Sequence, residues 1–280
     1  SWPEQNALLE LNNLSVRYAD GSDSVLQGIS LSLHAAEIVC VIGESGSGKS
    51  TLFQSILQLQ DRVMVTEGRV LFRGESLCES AARKLRRTNA SGSADHFSAG
   101  KEACRTADRR LWNRRKRRFG TGGLCSIRGT GIGVVFQEPG VSLDPTRKIW
   151  RQFYDAMHAH DKSVRKADAR KQAKLLLEQM EFSDPDRILD SCPVQLSGGM
   201  NQRVAIALAM VLKPDVLLAD EPTSALDVTV QAQVIKELLE LRRQYKTAIL
   251  LITHNMGVAA KMADRIVVMK DGQIVECGTR

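Results

Sequence analysis

The chain has 280 residues, of which 43% are hydrophobic and 25% charged, a composition and length typical of one large soluble domain or of a domain with a subdomain. It has no run of 18 uncharged apolar residues and no visible signal peptide, so the sequence predicts no membrane span. Six scattered cysteines without a C-x-x-C pair argue against a structural zinc site and a disulfide framework, and indicate cytosolic thiols.

The N-terminal part of the chain predicts two strands followed by a glycine-rich loop and a helix. Residues 8–16 alternate well enough for a strand, and the apolar run 38–42 is typical of a buried strand. The loop that follows, 43–51, has the pattern G-x-x-x-x-G-K-[ST]. Apolar spacing then predicts a helix over 50–60.

That loop is a phosphate-binding pattern in the right setting, because strand, glycine loop and helix N-terminus together create an anion site. Its glycines let successive N–H groups turn toward one anion. Lys49 adds a point charge near the outer phosphates, and the Ser50 hydroxyl can ligate Mg²⁺. A chance glycine-rich turn is the competing interpretation, and the complete motif between a strand and a helix disfavours it.

The middle of the chain contains two regions that differ from the rest. After a predicted strand at 68–72, residues 80–127 combine Ser/Gly/Ala clusters with charged tracts, and we expect a flexible insertion there. Residues 101–128 hold ten Lys/Arg against two acids, so most of the net charge of +7 lies in this segment. A strand is predicted at 133–136, and about 139–200 then reads as an inserted helical subdomain.

In the helical region, spacing predicts helices over 149–160 and 163–180 with no strand between them. The C-terminal part returns to alternating strands and helices, which indicates a mainly parallel sheet with crossover helices. Its predicted elements are strands at 215–220, 248–252, 265–269 and 273–275, a helix over 228–245, and a hairpin turn at 271–272.

Two carboxylates follow the buried strand that ends at Asp220. Asp220 can hold Mg²⁺ beside the phosphates, directly or through water. The adjacent Glu221 can orient and polarise an attacking water, which is worth on the order of 10²–10⁴ in rate. Capping of the next helix is the alternative role for this pair, and the phosphate loop favours the catalytic one.

The run 196–203, Leu-Ser-Gly-Gly-Met-Asn-Gln-Arg, resembles the signature of the ATP-binding cassette (ABC) family. Alone it could be a plain helix cap at Ser197. The other motifs agree in order, and the resemblance covers nearly the whole chain apart from the insertion. It implies an α/β fold: a P-loop NTPase (RecA-like) ABC ATPase core with an antiparallel β N-terminal part and the inserted helical subdomain.

The resemblance also assigns roles to single residues. Tyr18 would stack on adenine, Gln137 would touch Mg²⁺ and move with the helical subdomain, and His254 would contact the γ-phosphate. Residues 224–227, ending in Asp227, match the loop that crosses to the other subunit. The catalytic candidates are Glu221, His254, Lys49 and Gln137; the ATP-binding candidates are Tyr18, Gly43, Glu44, Ser45, Gly46, Ser47, Gly48, Lys49, Ser50, Thr51, Ser197, Gly198, Gly199 and Asp227; the Mg²⁺ candidates are Ser50, Gln137 and Asp220.

In the ABC family two cassettes close head to tail around two ATP molecules. By resemblance, Ser197, Gly198 and Gly199 would complete the site of a partner subunit, so that one copy alone hydrolyses ATP poorly. ATP then joins the subunits, hydrolysis separates them, and rotation of the helical subdomain passes the change to a partner.

Three short segments, at 44–47, 136–145 and 225–233, resemble the corresponding segments of the peptide/nickel importer ATPases, a more specific likeness than the general ABC motifs. This likeness implies uptake of di- and oligopeptides, nickel or metal chelates. The implied partners are two transmembrane permease subunits, a second ABC ATPase that is identical or different, and an extracytoplasmic solute-binding protein. The chain would then lie peripherally on the cytoplasmic face of the cell (inner) membrane.

Three features depart from that pattern. Asn201 stands where the group usually has a basic residue, which would weaken a contact across the dimer. The insertion before residue 127 is unusual, and the sequence stops at Arg280 where many relatives continue.

For the five consecutive bases at 114–118, a solvated loop is favoured. Contact with anionic lipids comes second, and binding to nucleic acid, for which no motif appears, is unlikely. For the whole chain, the competing class is a soluble ABC ATPase acting on nucleic acid or ribosomes. A regulatory cassette without turnover is third, and intact Lys49, Asp220, Glu221 and His254 argue against it.

Overall fold

The computed structural model describes residues 7–19, 24–57, 63–79, 127, 129–224 and 226–279. Its strands form two sheets. The first is antiparallel, in the order β2-β1-β4-β5. Its strands are β1 (Ala7–Tyr18), β2 (Ser24–His34), β4 (Val63–Phe72) and β5 (Glu75–Glu79).

The second sheet has six strands in the order β10-β9-β3-β8-β7-β6, and only β10 runs antiparallel to its neighbour. These strands are β3 (Ile38–Gly43), β6 (Ile132–Val135), β7 (Val216–Asp220), β8 (Ala248–Ile252), β9 (Arg265–Lys270) and β10 (Gln273–Thr279). The predicted mainly parallel sheet is therefore confirmed.

The central strands of this sheet are apolar throughout because both of their faces are covered. All five residues of β8 and the first five residues of β3 are buried, as expected of a parallel sheet between layers. Burial raises the pKa of Cys40 on β3 to about 12, so that its thiol stays protonated at neutral pH. The carboxyl ends of β3, β7 and β8 meet at one edge, where ligands bind in open α/β sheets.

The helices cover the second sheet and form one all-helical stretch between β6 and β7. In this stretch, Phe153, Leu177 and Leu189 are fully buried in one apolar cluster that continues onto the sheet. The helices are α1 (Lys49–Leu57), α2 (Ile149–His160), α3 (Lys166–Gln179), α4 (Pro185–Asp190), α5 (Gly198–Met210), α6 (Val228–Tyr245) and α7 (Met256–Met262), with 3₁₀ turns at Pro139–Val141 and Pro193–Gln195.

The structure adds elements that the sequence pattern does not predict, namely β2, β5, α4 and α7, and it begins β4 five residues earlier than predicted. The pairing of β1 with β2 contains several register shifts, and such bulges interrupt the alternation on which strand prediction relies. Helix α4 has only six residues, too few to establish a period. Helix α1 is described only to Leu57, and residues 58–60 of the predicted helix lie outside the described residues.

Two sequence predictions about organisation remain predictions. The insertion over about 80–127, with its basic run, lies outside the described residues apart from residue 127. The subdomain bounds of about 139–200 fit the all-helical stretch, although α5 continues to Met210. Across the described ranges, no helix has the length and apolarity needed to cross a membrane.

Candidate active site

The glycine loop lies between the end of β3 and the start of α1, as the sequence predicts. Gly46 and Gly48 have φ angles of +83° and +96°, a left-handed conformation that favours glycine. A Cβ on Gly48 would lie 2.8 Å from Leu26 Cδ2, whereas one on Gly46 would meet nothing within 4 Å. Gly46 is therefore required by the backbone turn, and Gly48 also by the close approach of β2.

Lys49 is 8% exposed, and its ammonium is held by the loop itself. Nζ donates to the carbonyl oxygens of Gly43 at 2.8 Å and Glu44 at 2.6 Å, and to Ser47 Oγ at 3.2 Å. Glu44 thus contributes through its backbone. The loop surrounds one positive charge at the N-terminus of a helix, and this arrangement suits the phosphates of a nucleotide.

The phosphate loop is supported from behind by the turn between β9 and β10. Gly272 N donates to Ser47 O at 3.2 Å, and Gln27 N donates to Gly272 O at 2.9 Å. Gly272 has a φ of +75°, and a Cβ there would lie 2.2 Å from Val25 O. This position therefore admits only glycine, and the loop depends on a turn more than 220 residues later in the chain.

A cleft of ≈ 580 Å³ opens over the loop. Tyr18 lies in its wall, where the Tyr18 hydroxyl shares a hydrogen bond of 3.0 Å with Thr51 Oγ1. The cleft brings together residues from five of the predicted motifs. Its lining residues are Tyr18, Val25, Gly43, Ser45, Gly46, Gly48, Lys49, Ser50, Thr51, Gln137, Glu221 and His254.

Oxygen groups suitable for Mg²⁺ lie next to the loop. Asp220, at the end of β7, is half-buried and hydrogen-bonded to the Ser50 hydroxyl. Burial, and then the negative charge of Glu221, raise the pKa of Asp220, and a bound cation would relieve both effects. Hydroxyl and carboxylate oxygens are the ligands that Mg²⁺ prefers, so these residues fit the ion. Gln137 is exposed in the same cleft.

No cluster of three or more His, Cys, Asp or Glu residues is arranged for metal binding in the part of the chain that the structure covers. A cation at Ser50 and Asp220 would therefore need further oxygen ligands from the nucleotide or from water.

Glu221 has a strained backbone that several hydrogen bonds hold in place. Its φ is +44°, in the left-handed region that non-glycine residues rarely adopt. Its N–H donates to Ile252 O at 2.9 Å, and its carbonyl accepts from the Ser224 N–H and Oγ, each at 3.0 Å. Such strain concentrates at functional sites, where the surrounding structure fixes it.

The side chain of Glu221 contacts His254. Glu221 Oε1 lies 2.9 Å from His254 Nδ1, and the two side chains are 18% and 66% exposed. The carboxylate is thus shielded from bulk water on most sides, while the imidazole projects into the open part of the cleft. This pair places an acceptor for a proton beside the phosphate loop.

The predicted signature residues lie elsewhere. Ser197 caps α5 by accepting the Met200 N–H at 3.3 Å, and Asp227 caps α6 by accepting the Thr229 and Val230 N–H groups at 3.0 and 2.9 Å. Ser197 and Asp227 are exposed, and the cleft lining does not include them. Within one chain, Ser197 and Asp227 therefore lie away from the phosphate loop. The dimer hypothesis expects this separation, because it assigns these residues to the site of a partner subunit.

Three consecutive side chains on α5 connect it to its surroundings, and the sequence pattern predicts none of these contacts. Asn201 Nδ2 donates to Pro193 O at 3.0 Å. Gln202, 2% exposed, donates through Nε2 to Phe136 O at 3.4 Å, directly before Gln137. Arg203 contacts α6 through Glu237. The last two contacts join residues that are 66 and 34 positions apart in the sequence, so local periodicity carries no signal for them.

We expect Tyr18→Ala to weaken binding of a nucleotide by the single chain about tenfold, because stacking of a base on an aromatic ring contributes ≈ 1–3 kcal/mol. The measurement is titration with a fluorescent ATP analogue. Tyr18→Phe, the matched control, keeps the ring and removes only the bond to Thr51, and should change affinity less than threefold. Equal affinities for the alanine and parent chains would exclude base stacking by Tyr18.

The chain is similar to known proteins over most of its length. A family model described as "ABC transporter" matches residues 26–104 and 113–224. The chain is 35% identical over 277 residues to the dipeptide transport ATP-binding protein DppD of Bacillus subtilis, with 98% of the chain and 71% of that relative covered. It is 36% identical over 276 residues to the oligopeptide transport ATP-binding protein OppD of the same species, covering 97% and 66%.

Solved structures agree on the fold. The ATP-binding cassette MJ0796, in a dimeric post-hydrolysis state bound to ADP and Pi, matches with a TM-score of 0.70 at 27% identity, over 97% of this chain and 98% of that one. CbiO1 of Clostridium perfringens, part of the ABC transporter complex CbiONQ, matches with a TM-score of 0.72 at 24% identity, over 98% and 89%. The predicted α/β P-loop cassette fold is confirmed, and the chain belongs to the ABC transporter family.

Proposed function

We propose that the chain is the ATP-binding and ATP-hydrolysing subunit of an ABC importer that takes up di- or oligopeptides. The observation that carries this proposal is the cleft at the carboxyl edge of the parallel sheet. There the glycine loop with Lys49 meets Glu221 and His254. A site for phosphates and a proton acceptor are thus combined in one place, as hydrolysis of a nucleoside triphosphate requires.

In the proposed reaction, water attacks the γ-phosphorus of ATP and the bond to the β–γ bridging oxygen breaks. Lys49 and the loop N–H groups would hold the β- and γ-phosphates and offset their charge. Glu221 would orient the water and accept its proton, and His254, bonded to Glu221 Oε1, would fix the direction of that carboxylate. Tyr18 would position the base.

Mg²⁺ is the proposed cofactor, held by Ser50 and Asp220 with Gln137 nearby. When bound, it would neutralise charge on the phosphate oxygens. The support is the hydrogen-bonded Ser50–Asp220 pair and the raised pKa of Asp220, since a buried carboxylate next to a second carboxylate favours a cation.

The proposed assembly is a head-to-tail pair of cassettes bound to two membrane permeases, with an extracytoplasmic solute-binding protein. The second cassette is either another copy or a related chain. This arrangement is supported by the exposed position of Ser197 and Asp227, away from the chain's own cleft. It places the chain peripherally on the cytoplasmic face of the cell membrane. Contact of the basic segment 114–118 with anionic lipids stays a prediction.

Peptide is favoured over nickel or metal chelates as the solute because the two relatives compared above are dipeptide and oligopeptide transport proteins. The same names favour an importer over a soluble ATPase acting on nucleic acid or ribosomes. The chain spans about two thirds of the length of those relatives. The solute and the partners are therefore proposed for the transporter as a whole and not read from this chain alone.

The test is uptake by cells in which the gene for the chain is deleted and restored. Deletion should abolish uptake of a labelled dipeptide or tripeptide, and the parent chain should restore it whereas Lys49→Ala should not. Labelled Ni²⁺, measured in the same cells, separates the two solute classes. Unchanged peptide and nickel uptake after deletion would contradict the importer proposal.

A further inference from the structure

We propose that Arg203 is a positioning residue for the site of the partner cassette. Through its ion pair with Glu237, Arg203 fixes α5 on α6, so that Ser197–Gly199 and Asp227 meet the partner as one rigid surface. This inference rests on the proposed head-to-tail dimer and extends it, because it names the contact that holds the partner-facing surface together.

The ion pair is buried, and both guanidinium contacts are to one oxygen of the carboxylate. Arg203 Nε donates to Glu237 Oε1 at 2.7 Å, and a second guanidinium nitrogen lies 2.5 Å from the same oxygen. The two side chains are 15% and 1% exposed. Gln233 Nε2, one turn earlier on α6, also donates to Glu237 Oε1 at 3.1 Å. The carboxylate therefore has donors from both helices.

The same guanidinium also fixes the segment between α3 and α4. It donates to Met180 O, and its Cζ lies 4.0 Å from the centre of the Phe182 ring. One planar group thus contacts α6, a backbone carbonyl and an aromatic face at once. A lysine ammonium at this position could supply the charge but not the planar fork, so the arrangement is specific to arginine.

A second contact between the two helices lies nearer their N-termini. A Cβ on Gly199 would lie 2.8 Å from Val230 Cγ1, so α5 and α6 touch in their first turns. The N-caps of these helices are Ser197 and Asp227. Two contacts along each helix, at Gly199–Val230 and at Arg203–Glu237, prevent one helix from pivoting on the other. The partner-facing ends are therefore held at one separation.

Arg203 does not line the nucleotide cleft of its own chain. Loss of its ion pair should leave binding of ATP to the single chain unchanged and weaken closure of the dimer. Removal of Arg203 alone would leave the buried Glu237 unpaired and could unfold the chain. The paired replacement Arg203→Met with Glu237→Leu removes both charges and keeps apolar volume, which proteins often tolerate.

The experiment places this double variant in a Glu221→Gln background and measures ATP-dependent dimer formation by analytical ultracentrifugation, with the partner cassette added if the partner is a different chain. The control double variant is Arg170→Gln with Asp190→Asn, which breaks an ion pair of 2.8 and 2.7 Å between α3 and α4. Thermal unfolding and ATP affinity of the single chain are measured for each variant.

We expect the Arg203/Glu237 double variant to bind ATP within twofold of its parent and to unfold at a similar temperature, while the dimer dissociation constant rises at least tenfold. The Arg170/Asp190 control should keep its ATP affinity and its dimer dissociation constant within twofold of the parent, and it should unfold at a similar temperature. Arg203→Lys should recover part of the dimer affinity. Parent-like dimer formation by the double variant would overturn the positioning role.

A parent chain that binds no ATP, or forms no dimer with ATP, would instead contradict the proposed function. The inference then still has its own measurement, hydrogen–deuterium exchange on the single chain. Amides at 198–201 and at 228–231 should exchange at least fivefold faster in the Arg203/Glu237 double variant, and those at 43–51 should not change. Unchanged exchange at both helix N-termini would reject the inference independently of the dimer.

Discussion

Glu221→Gln is expected to bind ATP as tightly as the parent chain and to hydrolyse it at least 10²-fold more slowly, because the amide cannot accept the proton of the attacking water. The substitution is nearly isosteric. The backbone bonds from Ile252 and Ser224, which hold residue 221 at its positive φ, remain available. The amide oxygen can still contact His254. The loss should therefore be chemical and not structural.

Release of phosphate in the assembled dimer measures this prediction, with size-exclusion chromatography as a second readout. Since hydrolysis is proposed to separate the cassettes, the variant should accumulate as an ATP-bound dimer. Glu178→Gln, an exposed position on α3, is the matched control and should turn over like the parent. If Glu221→Gln hydrolysed ATP at the rate of the parent chain, another group would have to accept the proton of the attacking water.

Lys49→Ala should weaken binding of ATP to the single chain at least 100-fold and abolish ATP-supported dimer formation. The ammonium is the positive side chain inside the loop, where it has three oxygen contacts and 8% exposure. A poorly hydrated charge in such a site interacts with phosphate far more strongly than an exposed one. Loss of the donor to the Gly43 and Glu44 carbonyls also costs about 1–3 kcal/mol of stability.

Equilibrium titration with a fluorescent ATP analogue tests the affinity, and a thermal unfolding curve separates lost binding from lost structure. Lys270→Ala removes one exposed positive charge from β9 and serves as the control for net charge. Binding by Lys49→Ala within threefold of the parent would mean that the loop N–H groups alone carry the phosphate, and the assigned role of Lys49 would be wrong.

The sequence predicts those parts of the site in which a short motif fixes the backbone conformation. The glycines at 46 and 48 occupy positive φ angles, and Lys49 and Ser50 follow them at fixed offsets. Asp220 could be placed because an apolar run ending in a carboxylate marks the edge of a parallel sheet. Each of these signals is contained in fewer than ten consecutive residues.

The parts that the sequence did not predict depend on distant pairing. Val25 lies in the cleft wall only because the irregular strand β2 passes Gly48. The Arg203–Glu237 ion pair joins positions 34 residues apart on two different helices. Nothing in a helical period states which neighbour an inward-facing charge will contact, so such pairs emerge only from the folded structure.

The support of the phosphate loop by Gly272 has a consequence for how the protein is made. The Ser47 carbonyl accepts from the Gly272 N–H, which leaves the ribosome more than 220 residues after Ser47 does. A nascent chain can complete β1 to α6 and still lack the turn that supports its phosphate loop from behind. Competence to capture nucleotide would therefore arise only after the hairpin of β9 and β10 docks, and nascent chains that lack this hairpin would not sequester ATP.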